Sequence, residues 1–239
     1  STIYIEYEES YSELGATYTD DVDPSGDAII GGDTVDSYTL GTYIVTYNIT
    51  DSDGNAAVEI TRTVIVRDTI IPVITLTGDS TIYVEYEGIY SELGATFTDN
   101  YDVSGDAIIG GDTVDTSTLG TYIITYNITD YNGNKAIRVE RTVIVQDSTL
   151  PVISLTGDST VYVEYEGIYL ELGATYTDDV DPSGDAVIGG DTVNSSVLGT
   201  YMVTYNITDS EGSVAIEVTR TVIVQDTTIP VITLTGDST

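Results

Sequence analysis

The sequence predicts an all-β protein built from tandem two-layer antiparallel β-sandwiches, and three observations carry that expectation. The segment LGTYIVTYNITDSDGN, Leu40 to Asn55, returns as LGTYIITYNITDYNGN from Leu119 and as LGTYMVTYNITDSEGS from Leu198, a spacing of 79 residues each time. Repetition at a fixed period marks a chain of similar structural units. Within the first copy, Tyr43, Val45, Tyr47 and Ile49 fall on one side and Thr42, Thr46, Asn48 and Thr50 on the other, with only Ile44 breaking the polar side. That alternation is the period of a half-buried strand. A second run, AAVEITRTVIV from Ala56, is equally rich in β-branched residues and pairs with the first as a hairpin whose polar tip is Asp51 to Asn55.

Taken in order, the unit opens with STIYIEYE, a strand with Ile3, Ile5 and Tyr7 on one face. ELGATYTD follows, a short strand interrupted at Gly15 and ending at Asp20. The stretch DDVDPSGD, Asp20 to Asp27, packs four carboxylates, a proline and a glycine into eight residues and must be a loop. AIIGGDTV gives a strand broken by a glycine pair, DSYTL turns a corner, and the hairpin closes the unit at Val66. Pro72, in DTIIPVITLTGD, suits the start of a strand, where no ladder donor is lost. VITLTG therefore reads as the opening strand of the next unit. The expected domains are 1–68, lacking its own first strand, then 69–147 and 148–226, with 227–239 as the orphan first strand of a following domain. Two arrangements remain open for that strand: an excerpt of a longer repetitive chain, or a strand that completes the first domain of another molecule in a head-to-tail filament. A strand of about 10 residues rises roughly 33 Å, so each unit is expected to add somewhat under about 40 Å to a rod.

Forty Asp and Glu stand against six Lys and Arg, with no His, for a net charge of −34. Such a chain repels nucleic acid and anionic membrane surfaces, and it fits a protein that carries cations on its carboxylates or one that lives in high salt. There is no Cys to staple the small units, no run of 18 apolar residues and no charged-then-apolar leader at Ser1, so no membrane insertion is expected in this stretch. Catalysis has little to work with: His and Cys are absent and Lys135 is the sole lysine. Near-identical copies also offer repeated tips where an enzyme needs one shaped cleft, and the chain is read as no enzyme.

The pattern LGTYxVTYNITDxxGN followed by TRTVIV, the linker Asp-x-x-x-Pro-Val-Ile-x-Leu-Thr-Gly, and ELGATYTDDVD together resemble bacterial immunoglobulin-like surface repeats of the hyalin-repeat and related kinds, over the whole chain. The resemblance implies tandem immunoglobulin-like sandwiches, secreted or displayed at the cell surface as stalks, adhesins or matrix fibres. It also implies that Tyr43, Tyr122 and Tyr201 take the tyrosine-corner position of strand F. The Cys and Trp core of antibody domains is absent.

Strand direction puts the acidic loop and the hairpin tip at the end of the domain where the chain enters, beside the linker Asp of the preceding domain. At the first junction the converging oxygens are expected from Asp68, then Asp99, Asn100 and Asp102, then Asp130, Asn132 and Asn134. At the second they come from Asp147, then Asp178, Asp179 and Asp181, then Asp209 and Glu211. The same pattern marks Asp20, Asp21, Asp23, Asp51 and Asp53 in the first unit and Asp226 after the third. Hard oxygen ligands without His or Cys favour Ca²⁺ over zinc, and six to eight oxygens are what Ca²⁺ takes. With more carboxylates, the second junction is expected to bind more tightly or to hold an additional ion.

Other signals have plainer readings. The Asn-Ile-Thr sequons at Asn48, Asn127 and Asn206, and a further one at Asn194, are read first as polar-face residues and second as glycosylation sites. Tyr43 and Tyr47 read as core, whereas Tyr4, Tyr11, Tyr38, Tyr101 and Tyr131 are expected at the surface. Arg62, Arg141 and Arg220 recur at the repeat period and are expected to lie across the sheet from a first-strand Glu, such as Glu8 or Glu87, in weak exposed ion pairs. The function expected is an extracellular fibre, stalk or adhesin shaft of calcium-stabilised repeats, with further repeats or copies of the chain as partners. The alternative is a carbohydrate-binding adhesion module that recognises surface glycans through exposed Tyr and carboxylates.

Overall fold

The computed structural model describes residues 1–236, and these form strands and no helix. The first repeat contains β1 (Thr2–Glu6), β2 (Thr17–Tyr18), β3 (Gly26–Asp27), β4 (Ile29–Gly32), β5 (Gly41–Asn48) and β6 (Ile60–Arg67). The second contains β7 (Val73–Leu76), β8 (Thr81–Glu85), β9 (Ala95–Thr98), β10 (Gly105–Asp106), β11 (Ile108–Gly111), β12 (Gly120–Asn127) and β13 (Val139–Gln146). The third contains β14 (Val152–Leu155), β15 (Thr160–Glu164), β16 (Ala174–Thr177), β17 (Gly184–Asp185), β18 (Val187–Gly190), β19 (Gly199–Asn206) and β20 (Val218–Gln225).

Each repeat makes one four-stranded sheet, ordered β1-β6-β5-β4, β11-β12-β13-β8 and β15-β20-β19-β18. A smaller sheet accompanies each: β2-β3, then β10-β9-β7, then β14-β16-β17. The strand at Val73 pairs antiparallel with β9, Ile74 opposite Phe97. Packing divides the chain into two compact units, Ser1–Ile82 with Ser91–Val114 and Tyr122–Val143, and Tyr83–Tyr90 with Asp115–Thr121 and Ile144–Thr239. Residues 227–236 lie in no strand, and Ile229, Val231, Ile232 and Leu234 are exposed; residues 237–239 of the expected orphan strand lie outside the described residues.

The central hairpin forms in the register the alternation demands, with Tyr43 opposite Val64, Val45 opposite Arg62 and Tyr47 opposite Ile60. Val45, Tyr47, Val64, Val66 and Ile5 make the core of the first repeat, and their counterparts Val203, Tyr205, Val222, Val224 and Val163 that of the third. The second arm is shorter than the sequence predicts: after an isolated bridge between Thr50 and Ala56, pairing resumes only at Ile60. The opening strand also departs from an all-antiparallel sandwich. β1 runs parallel to β6, placing Ile3 beside Val64 and Ile5 beside Val66, and β15 does the same beside β20. Parallel neighbours need a long connection, and the rest of the repeat supplies it.

Two local devices hold the corner before β5. Gly32 sits at φ 77°, where a Cβ would come within 2.3 Å of the Ile44 carbonyl oxygen, so Asp33 can fold back and accept the Ile44 N–H at 2.7 Å. Tyr43 donates its hydroxyl to the carbonyls of Asp36 and Thr39 at 3.0 and 2.9 Å, and Tyr201 does likewise to Asn194 and Val197. These are the tyrosine corners that the family resemblance implies.

The recurrent arginines overturn the expected surface pairs. Arg141 and Arg220 are fully buried, and Arg62 is largely so. Their partners are Glu92, Glu171 and Glu13, not the first-strand Glu8 or Glu87. The reason is parity: Arg62 shares the inward side of β6 with Val64 and Val66, and its guanidinium stacks over the Tyr47 ring with 5.3 Å to the centroid. Arg220 also donates to the carbonyls of Asp158, Thr156 and Gly173, so its donors are satisfied indoors. Tyr11 belongs here too. Expected at the surface, it is half-buried against the core and donates its hydroxyl to Glu13.

Burial works to raise the Glu13 carboxyl, but hydrogen bonds from Tyr11, Tyr47 and the Gly15 N–H, with the Arg62 charge, overcome it and hold the group down at about 2. A depressed carboxyl contributes stability that is complete above its unfolded value and is lost as pH falls through the folded value. The first repeat is therefore expected to lose about 2 to 3 kcal/mol between about pH 4.5 and pH 2 through this group. Urea unfolding across that range checks it: Glu13→Gln should flatten the acid slope, and an unchanged slope would remove the assignment.

Candidate metal centre

Three acidic segments meet at the entry end of the second and third repeats. Asp68, which follows β6, lies with Asp99 of the loop after β9 and Asp130 of the tip after β12, each offering a carboxylate oxygen within 4.8 Å of the others. Asp147, Asp178 and Asp209 repeat this arrangement 79 residues on, and Asp147 enters a further triad with Glu85 and Asp179. The Asp68 triad lies wholly within the first compact unit and the Asp147 triads within the second.

The backbone of the turns explains why these groups converge. Asp130 accepts the N–H groups of Asn132 and Asn134 at 2.9 and 2.7 Å, closing the tip. Asp99 accepts those of Tyr101 and Asp102, closing the loop. Asp68 and Asp147 cap their own linkers, accepting from Ile70 at 3.1 Å and Thr149 at 3.0 Å. These are Asx turns, and each uses part of the carboxylate and leaves the rest facing its neighbours.

What is left over is unusual for a protein interior. Asp99 Oδ1, Asp147 Oδ2, Asp178 Oδ1 and Asp209 Oδ2 are buried without a hydrogen-bond partner, as are both amide atoms of Asn100. Burying a carboxylate oxygen unpaired is costly. Burial pushes the Asp68 carboxyl up, with Asp99 and Asp130 adding to the rise, and it pushes Asp147 up with help from Asp179 and Asp178. The donor set is all hard oxygen, which suits a calcium-sized cation.

The other expected ligands are placed differently. Asp102 accepts the Tyr131 N–H at 2.7 Å, and Asp181 and Asp23 accept both N–H and hydroxyl of Ser210 and Ser52. All three staple loop to tip and stand outside the triads. Asn132 and Asn134 reach the first triad through their amides, while Glu211 is exposed and accepts the Ser210 hydroxyl. In the first repeat, Asp51 is satisfied by Asp53, Asn55 and the Asn55 amide, Asp20 caps its own loop, and Asp21 and Asp53 are exposed. Asp226 is exposed and accepts the Thr228 N–H.

A glutamate that sequence reasoning missed completes each linker. Glu6, at the end of β1, accepts the Thr69 N–H at 2.8 Å and the Thr69 hydroxyl at 2.5 Å. Glu85 grips Ser148 and Glu164 grips Thr227 in the same way, and these bonds hold the Glu164 carboxyl at about 2. The available signal was the recurrence of Glu at 6, 85 and 164 at the repeat period. Beside the first junction, Tyr7 also meets Tyr101 edge to face, ring centroids 5.0 Å apart.

The sheets, corners and acidic linkers define a tandem array of immunoglobulin-like domains. The chain belongs to the family of bacterial surface protein Ig-like domains, whose profile matches residues 1–66, 74–145 and 153–224. It is 34% identical over 228 residues to hyalin of Strongylocentrotus purpuratus, covering 89% of this chain and 19% of hyalin. It is 30% identical over 196 residues to internalin I of Listeria monocytogenes, covering 76% of this chain and 11% of that protein. The chain thus spans less than a fifth of either relative. A solved structure, PcdhgB3 EC1-4, aligns over 95% of this chain and 74% of its own length at 12% identity, with a TM-score of 0.28 that bears on nothing further. No helix among the described residues is long and apolar enough to cross a membrane.

Proposed function

We propose that this chain is a segment of a cell-surface or extracellular shaft, in which calcium ions at the linkers fix each immunoglobulin-like repeat to the next. The observation that supports it is the triad at each junction, three carboxylates from linker, loop and tip with buried oxygens that no protein donor reaches. A divalent cation satisfies those oxygens and cancels their mutual repulsion, which turns a strained joint into a rigid one. Without it the joint carries like charges within 4.8 Å of one another. The array role follows from family membership and from a binding chemistry that recurs at the repeat period.

A second reading draws on Tyr4, Tyr83 and Tyr162, which stand more than half exposed at equivalent positions on β1, β8 and β15. Exposed aromatic rings at regular intervals suit contact with sugars or neighbouring fibres. A glycan-binding adhesive face is compatible with the shaft and is the weaker proposal.

Calorimetric titration of the whole chain with calcium tests the main reading. Heat of binding is expected, and it should be abolished when Asp68→Ala is combined with Asp147→Ala. Absence of binding, or binding undiminished in that variant, would end the proposal.

A further inference from the structure

The two junctions share a plan, but they do not leave the same atoms unsatisfied. At the first, the Asn132 amide donates to Asp68 Oδ2 at 2.9 Å, and the Asn134 amide donates to Asp130 Oδ2 at 2.7 Å. At the second, Glu211 and Ser213 occupy those two tip positions and provide no such amide. The equivalent oxygens, Asp147 Oδ2 and Asp209 Oδ2, are the ones found buried without a partner. Asp147 is 7% exposed and Asp209 9%, so water does not readily take the donor's place. Asp178 Oδ1 is orphaned as well, giving one bare oxygen from each member of the triad; at the first junction only Asp99 Oδ1 is bare among the three.

We infer that the two junctions are set to different calcium affinities by this amide latch, the Asp147 junction depending on the ion and the Asp68 junction holding largely without it. The inference rests on the calcium reading of the same sites. At the first junction an entering ion must displace two uncharged amides that already satisfy triad oxygens by charge-assisted hydrogen bonds. At the second it meets three bare oxygens and displaces nothing. Asp179 strengthens the contrast, since its carboxylate joins Glu85 and Asp147 where the first junction has the neutral Asn100. The Tyr7–Tyr101 contact adds a metal-independent hold at the first junction, and Val180 replaces the second ring at the other. As calcium falls, the Asp147 junction is therefore the ion-responsive joint, while the Asp68 junction stays closed.

Titration of the full chain with calcium chloride is expected to show two classes of site. Their affinities should differ by at least about a hundredfold, the lower bound that follows when two charge-assisted hydrogen bonds must be given up. Glu211→Asn with Ser213→Asn, which installs the first tip's amides in the second, should remove the tight class. The reciprocal Asn132→Glu with Asn134→Ser should convert the weak class into a tight one. Both exchanges use side chains that a sister tip already carries, and unchanged circular dichroism will confirm folding. A single class of sites with equal affinity, or a tight class that survives the installed amides, would overturn the inequality while leaving calcium binding intact. No calcium binding at all would remove both readings.

Discussion

Replacing Arg220 with alanine is expected to destabilise the third repeat by about 3 to 5 kcal/mol, because it removes the buried counter-charge of the partly buried Glu171. For a domain of this size that corresponds to a fall in melting temperature of more than about 10 °C, which scanning calorimetry will read directly. Three carbonyls lose their donor at the same stroke, those of Asp158, Thr156 and Gly173. The stacking over the Tyr205 ring, 5.5 Å from guanidinium carbon to centroid, is lost with them. Arg220→Met combined with Glu171→Leu should recover much of the loss, since a buried pair replaced by apolar groups of similar volume is often close to neutral. Full recovery is not expected, because Tyr169 and Tyr205 both donate to Glu171 and would be left without an acceptor. A cost below about 1 kcal/mol for the single variant would return the pair to the exposed class.

Calcium is expected to stabilise the chain against heat by about 2.7 kcal/mol at a concentration one hundred times the dissociation constant, a direct consequence of binding only the folded state. Chelation should reverse it. Magnesium should substitute poorly, because it demands tight octahedral geometry and gives up water reluctantly, whereas these triads present carboxylates on three separate segments. Melting curves in calcium, magnesium and chelator check both statements, and identical curves in all three would count against an ion at the joints. Acid works in the opposite sense on two sets of groups. Protonation relieves the crowded Asp68 and Asp147, whose carboxyls burial has pushed up, while it breaks the Glu13–Arg62 pair.

Much of the architecture was legible because it rests on local pattern. Alternation placed the central hairpin and its inward Tyr and Val residues, and strand direction brought linker, loop and tip together. What the pattern did not separate was one aspartate from another. Asp99 and Asp102 stand three residues apart in the same loop, yet one enters the triad and the other staples the tip, a difference made by turn geometry. Arg62 was misjudged because charge outweighed parity in reading β6; counting alternate positions from Val64 puts it indoors. Glu6 and Glu85 end their strands, and only the returning linker, 63 residues later, gives them their partners. The parallel pairing of β1 with β6 likewise joins segments that no short-range signal connects.

The linker carboxylate and the amide latch belong to different repeats, and this division has a consequence for how such arrays diversify. Asp68 comes from the repeat that ends, and Asn132 and Asn134 come from the repeat that follows. A repeat duplicated or exchanged as a block therefore carries the setting of the joint behind it and supplies to the joint ahead only residues that every repeat shares, the linker aspartate with the glutamate and tyrosine that end its opening strand. Under the latch proposed above, recombination among near-identical repeats rewrites the sequence of firm and ion-gated joints without touching any core, so compliance along the array can evolve as an ordered pattern while the domains stay the same.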